Sequence, residues 1–142
     1  MLAKPEAYTN NVLLIDDNDI DNFINERMVR GCRFADVVYV NSSTRSAIEF
    51  LRNMASNPNI SVKEFPAVIF LDINMPVVDG FVFLYAFDKF PELVKNKTKI
   101  IILSSSDNKR DIDKIVNNNH VINFITKPLT ETALEEVSLT KK

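Results

Sequence analysis

The chain has 142 residues, 46% of them hydrophobic and 25% charged, with a net charge of −2. That length fits one domain with a core of its own, and that composition excludes intrinsic disorder. No dense Lys/Arg stripe is present, which argues against direct nucleic-acid binding. Cys32 is the single cysteine, so no internal disulfide forms, as suits a reducing compartment. Met1 to Asn11 is polar and lacks the apolar stretch of a secretory signal. The longest apolar runs, such as Ala67 to Leu71, are far too short to span a bilayer. The expectation is one globular domain in the cytoplasm.

Val12-Leu13-Leu14-Ile15 reads as a buried strand that stops at Asp16-Asp17. From Asp19 to Arg30, Ile20, Phe23, Ile24 and Met28 fall at helical spacing, with Gly31 as the stop. Val37 to Val40 is a second strand, and Ser43 to Ala55 a helix with Ala47, Ile48, Leu51 and Ala55 inward. Ser56 to Phe65 is a polar connection. Ala67 to Leu71 is a third strand, ending on Asp72, and a loop with Pro76 leads through Gly80 into a helix from Phe81 to Phe90. Lys99 to Leu103 is a fourth strand, ending at Ser104. Asp107 can cap a helix whose inner face is Ile112, Ile115 and Val116. Val121 to Thr126 is a fifth strand, ending at Lys127-Pro128, and Thr132-x-x-Glu135 is a capping box for a last helix through Val137. Strand and helix alternate five times, which calls for an α/β fold: a mainly parallel sheet with helices on both faces.

The polar residues that interrupt the apolar runs share one position, the C-terminal end of a strand. Asp16 and Asp17 end the first, Asp72 the third, Ser104 the fourth and Lys127 the fifth. In an open parallel sheet those ends form one edge, and ligands bind in its crevice where the strand order reverses. Three carboxylates gathered there repel one another by a few kcal/mol per pair at about 4 Å, unless a cation neutralises them. With oxygen donors and neither His nor Cys nearby, Mg²⁺ is favoured over Zn²⁺. A carboxylate is also a nucleophile for phosphoryl transfer, a reaction that asks mainly for positioning and charge neutralisation. Asp72 is the candidate acceptor, Lys127 and the Ser104 hydroxyl the candidate partners of the phosphoryl oxygens.

These residues resemble a known family. Leu71-Asp72-Ile73-Asn74-Met75-Pro76-Val77-Val78-Asp79-Gly80 looks like the phosphoacceptor segment of response-regulator receiver domains, and Leu14-Ile15-Asp16-Asp17-Asn18 like their paired-acid metal motif. Ile102-Leu103-Ser104-Ser105 and Thr126-Lys127-Pro128 are similar to the family's Ser/Thr and Lys-Pro motifs. The four occur in the family's order and span the chain from roughly Asn11 to Val137. The resemblance implies a flavodoxin-like, doubly wound five-stranded sheet of order 2-1-3-4-5. It implies a single receiver domain over residues 1–142, core about 11–138, with no output domain. Asp72 is then phosphorylated from a phosphohistidine on a sensor histidine kinase or histidine phosphotransfer protein. Mg²⁺ is held by Asp16, Asp17, Asp72 and the Asn74 backbone carbonyl. The Lys127-Pro128 bond is expected cis, and Ser104 and Phe124 act as switch residues. The output is a change in the surface of the fourth helix (the one starting at Asp107), the fifth strand and the fifth helix. That surface is read by another protein, with no nucleic acid or membrane contacted directly. The chain is then a signalling switch of a two-component phosphorelay, catalysing at most its own phosphorylation and dephosphorylation.

There are departures: Phe124 lacks a hydroxyl, Ser105 stands where Ala is common, and Arg52 to Phe65 looks longer than usual, which reads as a neutral loop extension. Plainer readings stand beside each motif. Asp16-Asp17 is otherwise a solvated turn, Asp72 a turn residue before Pro76, Ser104 a helix cap and Lys127 a surface lysine. Phe124 is otherwise a core aromatic, His120 an exposed residue beside an Asn run and Cys32 a small helix-end residue. Among rival functions, a haloacid-dehalogenase-like phosphatase needs a second Asp two residues after the nucleophile, where Asn74 stands, and usually a cap domain. A flavodoxin-type or nucleotide-binding module wants a Gly-rich or hydroxyl-rich loop after the first strand, and Asp-Asp-Asn-Asp repels anions. A receiver-fold module that binds partners without being phosphorylated is the third alternative.

Overall fold

The computed structural model describes residues 9–60, 64–73, 77–104 and 118–139. Five parallel strands, β1 (Thr9–Ile15), β2 (Ala35–Asn41), β3 (Val68–Asp72), β4 (Lys99–Ser104) and β5 (Val121–Thr126), form one sheet of order β2-β1-β3-β4-β5. The described helices are α1 (Asp19–Gly31), α2 (Thr44–Ser56), α3 (Val77–Phe87), α4 (Glu92–Lys97) and α5 (Glu131–Leu139). The helix expected to start at Asp107 and the loop residues Asn74 to Pro76 lie outside the described residues. The expected doubly wound sheet, its strand order and its two helical layers are all present.

The three central strands carry unbroken apolar runs, Val12–Ile15, Val68–Leu71 and Ile100–Leu103, because both their faces are covered, and the pleat deals alternate side chains to opposite sides. Leu13, Ile15, Ile69, Leu71, Ile100 and Ile102 pack against α2, α3 and α4. Val12, Leu14, Val68, Phe70, Ile101 and Leu103 pack on the other face, against Val29 of α1 and Leu134 and Val137 of α5. The edge strands β2 and β5 are only partly covered: Val37, Val40 and Ile122 are exposed. The two cores pin the strand register, since a slip of one residue moves every side chain to the wrong layer.

Several local expectations need correction. Helix α1 forms where its apolar spacing predicts, but Ile20 is 70% and Phe23 60% exposed, and the buried residues are Asn22, Asn25 and Val29. Asn22 is buried because its Nδ2 donates to the Asp16 carbonyl (2.8 Å), tying α1 to the end of β1. Gly31 is not the stop; it is helical, and Arg33 takes the left-handed turn with φ 54°. The amides of Arg33 and Phe34 donate back to the carbonyls of Arg30 and Val29, a Schellman closure. In α2 the inward residue after Leu51 is Met54, not Ala55, because the larger apolar side chain fills the layer. The cap of α5 is Thr130, whose Oγ1 accepts from the Ala133 amide (3.1 Å), rather than Thr132. Helix α4, after Pro91, was not expected, and it buries Val94. Phe65, at the end of the long connection after α2, is a core residue against Phe90. His120 is largely covered: its Nε2 lies 3.0 Å from Asp88 Oδ1 and its ring meets Phe87 edge-on. That hydrogen bond, helped by Lys95, holds the Asp88 carboxyl below its ordinary value.

Candidate acidic site at the carboxyl edge of the sheet

The sheet register brings the strand-end residues together. Ile15 pairs with Leu71, so Asp16, the residue after β1, and Asp72, the last of β3, emerge side by side. Between them the strand order reverses, because β2 lies on one side of β1 and β3 on the other. Asp72 pairs with Leu103, and Ser104 is the next residue on β4. Ser104 pairs with Thr126, which puts Lys127 just past the end of β5. The Lys127 amide donates to the Ser104 carbonyl (2.7 Å), and the Lys127-Pro128 bond is cis.

Asp16 and Asp72 are 2% and 1% exposed, while Asp17 is exposed. One carboxylate oxygen from each of Asp16, Asp17 and Asp72 lies within 4.8 Å of the others. Lys127, its side chain 10% exposed, reaches into this group: Nζ donates to Asp16 Oδ2 (2.8 Å) and Asp21 Oδ2 (2.9 Å) and lies 3.0 Å from Asp72 Oδ1. Burial alone lowers the lysine's pKa, but the hydrogen bonds it donates to Asp16, Asp21 and Asp72 outweigh that and hold the ammonium above its ordinary value. Lys127 is therefore charged throughout the neutral range. Asp16 is further fixed by the Asn18 amide, which donates to its Oδ1 (2.9 Å).

Four carboxylates face one ammonium, so negative charge is in excess. Each like-charged contact costs on the order of 4 kcal/mol at about 4 Å with an effective dielectric constant near 20. The donors of the converging trio are all hard carboxylate oxygens, and one carboxylate opens to solvent. Such a set suits Mg²⁺, which keeps several of its waters and takes few protein ligands. The residues present thus fit a divalent cation.

Of the residues singled out by sequence, Asp16, Asp17, Asp72 and Lys127 converge. Ser104 is buried at the same edge. Phe124 pairs with Ile102, lies two residues before the end of β5 and is partly buried against the core shared with α2 and α3. Asn74 lies outside the described residues. Asp21 was missed. The available signal was its place three residues after Asn18, the cap of α1, whose Oδ1 accepts from the Asp21 amide (3.0 Å). A search restricted to strand ends passes over a first-turn helix residue.

Known proteins are similar to this chain in sequence and fold. Residues 12–138 match the family model of the response regulator receiver domain. A two-component response regulator from Cytophaga hutchinsonii is 32% identical, with a TM-score of 0.78 over 94% of this chain and 98% of its own. A response regulator receiver protein from Dyadobacter fermentans is 28% identical, with a TM-score of 0.75 over 91% and 94%. No curated protein sequence matches. Among the described residues no helix is long and apolar enough to cross a membrane. With paired acids just past β1, an acid at the end of β3 and a lysine past β5 on a sheet of order 2-1-3-4-5, and a family match over nearly the whole length, the chain belongs to the receiver domains of two-component response regulators.

Proposed function

We propose that this receiver domain is a phosphoacceptor switch in which Asp72 takes a phosphoryl group from a phosphohistidine on a sensor kinase or phosphotransfer protein. The observation that carries this reading is the placing of Lys127 Nζ 3.0 Å from Asp72 Oδ1, beside two further acids. In the reaction an Asp72 oxygen attacks phosphorus and the P–O bond of an acyl phosphate forms. The P–N bond to the donor imidazole breaks, its electron pair returns to nitrogen, and the imidazole takes up a proton. Lys127 neutralises one phosphoryl oxygen and the Ser104 hydroxyl donates to another. Asp16, Asp17 and Asp72, with the Asn74 carbonyl, are the residues we assign to hold Mg²⁺, which when bound neutralises charge on the phosphoryl oxygens. Ser104 and Phe124 then convert acyl-phosphate formation into a change on β5, α5 and the helix expected from Asp107. Another cytoplasmic protein reads that face. The whole of residues 1–142 serves as one receiver unit with no activity beyond its own phosphorylation and dephosphorylation.

Incubation with acetyl phosphate and Mg²⁺ is expected to add one acid-labile phosphoryl group per chain, seen by intact-mass spectrometry and lost in Asp72→Asn. No adduct, or an adduct that persists in Asp72→Asn, overturns the acceptor assignment. Many turnovers per chain on simple phosphate esters overturn the switch reading in favour of a phosphatase.

A further inference from the structure

We infer that Asp21 is a positioning residue that acts through Lys127: it keeps hold of the ammonium so that the cation and the phosphoryl group can take up Asp16 and Asp72. The inference rests on the acceptor reading above. An ammonium has three donors, and in this structure three carboxylates surround Lys127 Nζ at 2.8 to 3.0 Å: Asp16, Asp21 and Asp72. Two of them are committed elsewhere in the working site. Asp16 and Asp72 belong to the trio that converges within 4.8 Å, and Asp72 is also the acceptor. Asp21 stands outside that trio and, among the described residues, is the one partner of Lys127 that neither a cation nor a phosphoryl group displaces.

Its anchorage suits the role. Asp21 sits on the first turn of α1, its amide held by the Asn18 side chain, and Asn22 beside it binds the Asp16 carbonyl. The carboxylate is therefore fixed to the same strand end as the metal ligands. With a side chain 37% exposed, it gives up less hydration than Asp16 does. Without it, the ammonium rides on a flexible four-carbon stem, and its resting partners are the two carboxylates that the chemistry needs. Lys127 then competes with the cation instead of waiting beside it.

The test measures Mg²⁺ affinity by calorimetric titration and the labelling rate with acetyl phosphate at saturating Mg²⁺, in full-length variants whose circular dichroism matches the parent. Loss of one charged hydrogen bond predicts that Asp21→Asn weakens Mg²⁺ binding by about tenfold and slows labelling by about tenfold. Asp19→Asn, which removes an acid from the same helix turn, changes both by less than about twofold. In a Lys127→Met background Asp21→Asn shifts Mg²⁺ affinity by less than about twofold, because the residue it acts through is gone. Should Lys127→Met fail to fold, Lys127→Gln supplies the neutral background. An equal loss in both backgrounds, or an equal loss in Asp19→Asn, overturns the positioning role and leaves Asp21 a distant charge. The Mg²⁺ arm needs no phosphorylation. Coupling without an Asp72 adduct therefore overturns the acceptor reading alone, and an adduct without coupling overturns the role of Asp21 alone.

Discussion

Lys127 is the residue on which the acidic edge balances. Asp16 and Asp72 are buried charges, and a buried charge is tolerated only with a close, hydrogen-bonded counterpart. Lys127→Met removes that counterpart while keeping most of the volume. It is expected to lower stability by roughly 3 kcal/mol in metal-free buffer, as measured by urea unfolding. Added Mg²⁺ should restore part of the loss, because the cation replaces the missing positive charge. A variant as stable as the parent without metal would overturn this role of Lys127. At this scale the sequence was informative for a physical reason. Asp16, Asp72 and Lys127 stand out because each interrupts a run of apolar residues at a strand end. Asp21 does not stand out, because acids are ordinary in the first turn of a helix, where they face the positive end of its dipole. Its contact with a lysine 106 positions away comes from the tertiary structure alone.

Helix α1 shows how an element can be placed correctly and turned the wrong way. The spacing of Ile20, Phe23, Ile24 and Met28 marks a helix, but the fold rotates Ile20, Phe23 and Ile24 to solvent and buries Asn22, Asn25 and Val29. Apolar periodicity reports a helical repeat; it does not know which face a neighbouring strand end will claim by hydrogen bonding. Ile20→Ser is therefore expected to change stability by no more than about 0.5 kcal/mol, whereas Val29→Ala, which empties a fully buried site, costs on the order of 2 kcal/mol. Thermal or urea denaturation of the two variants decides the matter, and the reverse order would restore the apolar stripe as the inner face. The six residues of α4 were illegible for a related reason. A helix of that length spans fewer than two turns, too few for periodicity to register.

At the scale of the molecule, the two cores on either face of the sheet hold the strands in register, and the register assembles the acidic edge. Under the proposed function, cation binding at that edge is linked to folding. Mg²⁺ at about a hundred times its dissociation constant is expected to stabilise the domain by about 2.7 kcal/mol, raising Tm by several degrees in a calorimetric scan. Asp17→Asn, a change at the exposed acid of the converging trio that leaves the core intact, should abolish most of that rise. A metal-independent Tm in the parent would remove the cation from this site.

The amino-acid sequence by itself determined the alternation of strands and helices, the parallel sheet, and the acids and lysine that end its strands. These follow from local patterns: apolar runs that must be buried on both faces, and polar residues placed where those runs stop. Only the tertiary structure decided which face of α1 is buried, which residues cap and close the helices, and that Asp21 shares Lys127 with Asp16 and Asp72. Those outcomes depend on contacts between residues distant in the chain, which the geometry of packed layers sets and no local window contains.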